Sequence, residues 1–85
     1  MKTFLIDGNN LIGKIRNLFL LQKKDKQASR EKLVQLLNTF FASGKNKVVL
    51  FFDGFENTPL LLTKGKVIYS NTKSADLLIK KYIFL

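Results

Sequence analysis

Phe4-Leu5-Ile6-Asp7-Gly8-Asn9-Asn10 is the stretch that decides the fold. A short apolar run ends in an aspartate, then in a glycine and two asparagines. The run reads as a strand over residues 2–6, with apolar neighbours suited to burial on both faces, as in a parallel sheet. Gly8 permits a tight turn, and Asn9 or Asn10 suits the cap of a following helix. A second run, Val48-Val49-Leu50-Phe51-Phe52-Asp53-Gly54, repeats the pattern. Two strands that each deliver a carboxylate to their carboxyl end imply one shared acidic site.

Outward from these anchors, the spacing predicts alternating elements. Residues 10–22 place Leu11, Ile12, Ile15, Leu18, Phe19 and Leu21 three and four apart, an amphipathic helix. Residues 22–27 read as a charged linker. A second helix is expected over residues 28–42, with Leu33, Leu36, Leu37, Phe40 and Phe41 as its stripe and Ser43-Gly44 as its stop. Residues 47–52 form the second strand, 54–65 a loop and 66–69 a third strand. Leu60-Leu61-Leu62 inside the loop reads either as a helical turn on the core or as a contact surface. Ser74 suits the cap of a last helix that turns Leu77, Leu78, Tyr82 and Ile83 to the core. The order strand, helix, helix, strand, strand, helix predicts a three-layer α/β/α fold with a mainly parallel sheet.

Composition narrows the chemistry. The 85 residues make one domain, without cysteine or histidine. Disulfides, thiol nucleophiles, histidine acid–base catalysis and structural zinc sites are therefore excluded. Neither a phosphate-binding loop nor a dinucleotide fingerprint is present. A net charge of +9 points to a polyanionic partner, above all nucleic acid. Eight phenylalanines and 46% apolar residues are a large apolar load for a domain this small, so a homo-oligomer is expected. No apolar run approaches the ~20 residues of a membrane span. With no secretory leader visible, the expectation is a soluble cytoplasmic protein.

In open parallel sheets, sites form outside the carboxyl ends of the strands. Asp7 and Asp53 sit there, and Asp76 opens the last helix. Three clustered carboxylates repel one another, and a hard divalent cation such as Mg²⁺ or Mn²⁺ removes the conflict. Asn10 is placed to support the cluster. Metal-assisted hydrolysis is the catalytic chemistry this residue inventory supports best. Plainer readings stand beside it. The Asp-Gly pairs are ordinary turns, Asp76 complements the helix dipole, and Asn10 only caps a helix. Lys14, Arg16, Lys64, Lys66, Lys73, Lys80 and Lys81 are solvated charges or contacts to a phosphate backbone. Lys73, near Asp76, is the first choice among them for nucleic acid, followed by Lys14 and Arg16.

Phe4 to Ile12 resembles the first motif of NYN domains, members of the PIN-like nuclease superfamily. Val48 to Gly54 and Tyr69-Ser70-Asn71-Thr72-Lys73-Ser74-Ala75-Asp76 extend the resemblance over almost the whole chain. The resemblance implies a metal-dependent ribonuclease. It makes Asp7 and Asp76 direct ligands, Asp53 a member or neighbour of the cluster, and Asn10 a supporting group. Two departures accompany it. Leu77 stands where relatives often carry a second acid, and the chain ends at Leu85 where they continue with another strand. These departures imply one of two outcomes. Either a partner subunit completes the sheet and the site, with the apolar terminus as the contact, or this is a reduced or truncated form with weak or no activity, a non-catalytic nucleic-acid-binding or assembly module.

Overall fold

The computed structural model describes residues 1–83, and side chains as far as Lys81. The elements in chain order are β1 (Thr3–Asp7), α1 (Gly8–Lys14), α2 (Arg16–Lys24), α3 (Lys26–Phe40), β2 (Lys47–Phe52), β3 (Gly65–Tyr69) and α4 (Ala75–Ile83). The three strands form one parallel sheet in the order β1-β2-β3. Among the described residues no helix is long and apolar enough to cross a membrane.

β2 shows why the chain folds into three layers. Val48 to Phe52 are all buried, and alternate residues serve opposite faces. Val48, Leu50 and Phe52 join Ile12, Leu18, Leu33, Val34 and Leu37 in one core, under α1, α2 and α3. Val49 and Phe51 pack with Ala75, Leu5, Ile68, Leu78 and Ile79 in the other, under α4. Each fully buried side chain of this size contributes about 1.5–3 kcal/mol. The central strand is therefore the main stabilising element. It is also what holds the two strand ends in register, with Asp7 opposite Phe51.

The expected single helix over residues 10–22 is two helices. Ile15 takes an extended conformation (φ −101°, ψ 111°) between α1 and α2. Ile12 and Leu18 are both buried in the same core. In an unbroken helix these two would point about 120° apart at 3.6 residues per turn, so the break brings both inward. The expected linker shrinks to Asp25, because α2 runs to Lys24 and α3 begins at Lys26. Asp25 Oδ1 accepts from the Ala28 N–H at 3.1 Å and caps α3.

Within α3, Leu33, Val34, Leu37 and Phe41 at its C-cap are buried, but Leu36 and Phe40 are exposed, Phe40 by 78%. Both lie on the flank of the stripe centred on Leu37. Phe40 stacks edge-on against Phe41 instead of entering the core. Leu77, expected inside, is 58% exposed, whereas Leu78 and Ile79 pack on the sheet. The expected inward turn of Tyr82 and Ile83, and the terminus expected as an oligomer contact, fall outside the described side chains.

The β2–β3 crossover is coil rather than helix. Leu62 is buried in the α3-side core, Leu60 packs against it, and Leu61 is exposed. Asn38 of α3 braces this segment. Its amide donates to the Leu61 carbonyl at 3.0 Å, and its oxygen accepts from the Thr63 N–H at 3.0 Å.

Candidate active site

The two Asp-Gly pairs lie at the carboxyl ends of neighbouring strands, as their sequence predicts. Asp7 Oδ1 accepts from the Asn10 N–H at 3.2 Å and is itself the N-cap of α1. Neither Asn9 nor Asn10 has that role. Gly8, the first residue of α1, is buried against the end of β2. A Cβ there would lie 2.5 Å from the Phe52 ring and 2.9 Å from the Phe51 carbonyl. This close approach brings the start of α1 directly over the second strand.

Asp53 is held on three sides. Its N–H donates to Asn9 Oδ1 at 2.7 Å, and its carbonyl accepts from Arg30 Nη2, also at 2.7 Å. Its carboxylate Oδ1 accepts from the Ala75 N–H at 2.5 Å, at the first residue of α4. Asp53 therefore ties the end of β2 to α1, α3 and α4 at one point. The loop continues tightly from there. Gly54 has φ +83°, a conformation that favours glycine. Its N–H donates to Ser70 Oγ and its carbonyl accepts from the Asn71 N–H. Ser70 Oγ in turn donates to the Lys73 carbonyl, which fixes the turn into α4.

Asp76 lies one residue beyond Ala75, in the first turn of α4. Its exposed carboxylate pairs with Lys80 at 3.2 Å. Ser74 Oγ accepts from the Leu77 N–H at 3.2 Å, the expected capping geometry. Asp7 at the end of β1, Asp53 just after β2 and Asp76 in α4, which follows β3, thus all belong to the segments at the carboxyl ends of the strands. Among the described residues, however, no three acidic side chains make a group that holds a metal ion by themselves.

A cleft of ≈ 370 Å³ runs between β1 and α1, lined by Leu5, Ile6, Asp7, Asn10, Leu11 and Lys14. Lys14 and Asn10 therefore share the lining of this cleft with Asp7. Arg16 and Lys73 are exposed outside this cleft, Lys73 on the turn before α4. Beneath the Asp53 loop lies Tyr69, whose hydroxyl is buried without a partner among the described residues. Burial raises its pKa above the ordinary 10.0; the Arg30 guanidinium opposes the shift and Glu56 adds to it.

Two residues that organise the site, Arg30 and Asn9, are missing from its expected members, Asn9 being expected only as a helix cap. Arg30 carries a usable signal, because it falls in phase with Leu33, Val34, Leu37 and Phe41 along α3. Asn9 carries none for this contact, since its partner lies 44 residues away.

The family profile of the YacP-like NYN domain matches residues 4–84. The chain belongs to this family. NYN domains fall within the PIN-like nuclease superfamily, and the three-layer parallel architecture agrees with that membership. No curated protein and no solved structure matches the chain.

Proposed function

We propose that this NYN domain hydrolyses RNA phosphodiester bonds with the help of a divalent cation. The observation that carries the reading is the junction at Asp53, where the end of β2 is tied to the residues after β1 and to the start of α4. The donor chemistry fits a hard cation. Asp7 and Asp53 each commit one carboxylate oxygen to a backbone N–H, and among the described residues no hydrogen bond or ion pair engages the other. Mg²⁺ in phosphate-processing sites commonly takes one or two carboxylates, with waters and substrate phosphates for the rest. Asp7 and Asp53 would hold Mg²⁺ or Mn²⁺, with Asp76 beside them once released from Lys80. When bound, the ion would lower the pKa of an attacking water and neutralise charge on the scissile phosphate.

The chain's own residues divide the remaining work. Asn10 borders Asp7 in the cleft and orients what enters there. Lys14, in the same cleft, attracts a phosphate, and Lys73 and Arg16 extend the basic surface around the site. The net charge of +9 draws RNA towards it.

A second reading has its own support. Each carboxylate is already engaged within the fold, since Asp7 caps α1, Asp53 caps α4 and Asp76 pairs with Lys80. A module that binds RNA without cutting it would need no more. Single-stranded RNA incubated with the protein and Mn²⁺ or Mg²⁺ separates the two. Under the hydrolase reading, Asp7→Asn and Asp53→Asn each abolish cleavage while circular dichroism shows an intact fold, because asparagine caps helices about as well as aspartate. RNA binding without cleavage in either metal establishes the binding module instead.

A further inference from the structure

We propose that Arg30 is a positioning residue for the acidic site, fixing the Asp53 loop so that the Asp53 carboxylate stays aimed at the start of α4. The inference rests on Asp53 belonging to the site proposed above. Arg30 is 4% exposed, on the buried face of α3. Among the described residues no carboxylate forms an ion pair with it. Its guanidinium lies over two rings, Phe52 at 4.9 Å and Tyr69 at 5.4 Å. The fork then reaches two loop carbonyls on either side of Gly54, with Nη2 on Asp53 at 2.7 Å and Nη1 on Phe55 at 3.2 Å. Its Nε has no partner among the described residues.

Packing alone does not call for this residue. Burying a cation without a counter-charge is costly, and an apolar side chain would cover Phe52 and Tyr69 with no desolvation penalty. What only the arginine provides is a rigid, two-pronged donor spanning the turn at Gly54. Asp53 is thereby fixed by its carbonyl, while Asn9 fixes its N–H. The carboxylate has little freedom left, and α4 begins where it points.

The test compares Arg30→Met and Arg30→Lys with the wild type by residue-resolved amide hydrogen exchange and by RNA cleavage. Loss of two charge-assisted hydrogen bonds should accelerate exchange at the Asp53 and Ala75 amides by roughly tenfold or more in Arg30→Met. The Leu50 amide in the sheet should stay within about twofold, since distant sites act independently. Turnover should fall with KM for RNA unchanged. Arg30→Lys, with one prong, should lie between. If Arg30→Met fails to fold, Arg30→Lys is judged by the same criteria. Equal acceleration at Leu50 and Ala75 would show a packing role only and overturn the proposal. So would unchanged Ala75 exchange, or a loosened Ala75 with full turnover. A wild type that never cleaves RNA defeats the hydrolase reading, while the exchange pattern still decides whether Arg30 controls Asp53.

Discussion

Asp7-Gly8 and Asp53-Gly54 are the same dipeptide at the ends of adjacent strands, yet they solve different problems. Asp7 caps the helix that follows it directly, three residues along the chain. Asp53 caps a helix that begins 22 residues later. Gly8 is required because the Phe52 ring and the Phe51 carbonyl leave no room for a side chain. Gly54 has that room and is required by its positive φ. The first pair is a local turn pressed against the sheet. The second is a tertiary junction, and it gathers α1, α3 and α4 into the candidate site.

Several substitutions put this contrast to the test. The largest effect is expected on chemistry, where Asp7→Asn and Asp53→Asn should each reduce metal-dependent RNA cleavage to background. Loss of cleavage in one variant only would mean the two pairs do not share a site. Next in size is Gly8→Ala. Forcing a Cβ into Phe52 should destabilise the domain by about 2–3 kcal/mol, near the upper end for overpacking, as read from urea unfolding. Gly54→Ala should cost less, about 1–2 kcal/mol for an L-residue held left-handed. The reverse ranking would mean the space around Gly8 opens readily.

Removing the caps comes third. Asp7→Ala and Asp53→Ala should each cost about 1 kcal/mol. The amide-exchange changes should differ in place, at Asn10 for the first and at Ala75 for the second. A change at Ala75 in Asp7→Ala would blur the local and tertiary roles.

The smallest effect concerns Tyr69. Its hydroxyl is buried and unpartnered among the described residues, so Tyr69→Phe should be neutral or slightly stabilising at pH 7, within about 1 kcal/mol. Its folded pKa is raised above 10.0, mainly by desolvation. Below the ordinary value of 10.0 both folded and unfolded forms keep the proton, and its contribution is constant. At higher pH the unfolded form loses its proton first, so stability should decline until pH passes the folded pKa. Tyr69→Phe should flatten that decline in urea titrations between neutral and alkaline pH. An identical decline in the variant would assign the effect to other groups.

The elements are legible where the pattern is local. The apolar runs mark all three strands, and Ser74-Ala75-Asp76 marks the start of α4. Spacing in α3 locates Leu33, Leu37 and Phe41 in the core. It fails at Leu36 and Phe40, which share the apolar character of that stripe but lie beyond the sheet's reach. The break at Ile15 is invisible because an unbroken period fits the same residues almost as well. Only the need to bury Ile12 and Leu18 together selects two helices.

A parallel α/β domain, two carboxylates at strand ends and kinship with NYN domains all follow from the order of residues along the chain. Alternation along β2 leaves no other way to bury five consecutive apolar residues, and a carboxylate after each strand must emerge at the sheet's edge. What those carboxylates hold follows from tertiary packing instead. The Asn9 contact spans 44 residues and the two Arg30 contacts span 23 and 25. Hydrogen bonds of that reach are fixed by how the layers pack, and no spacing rule along the chain records them.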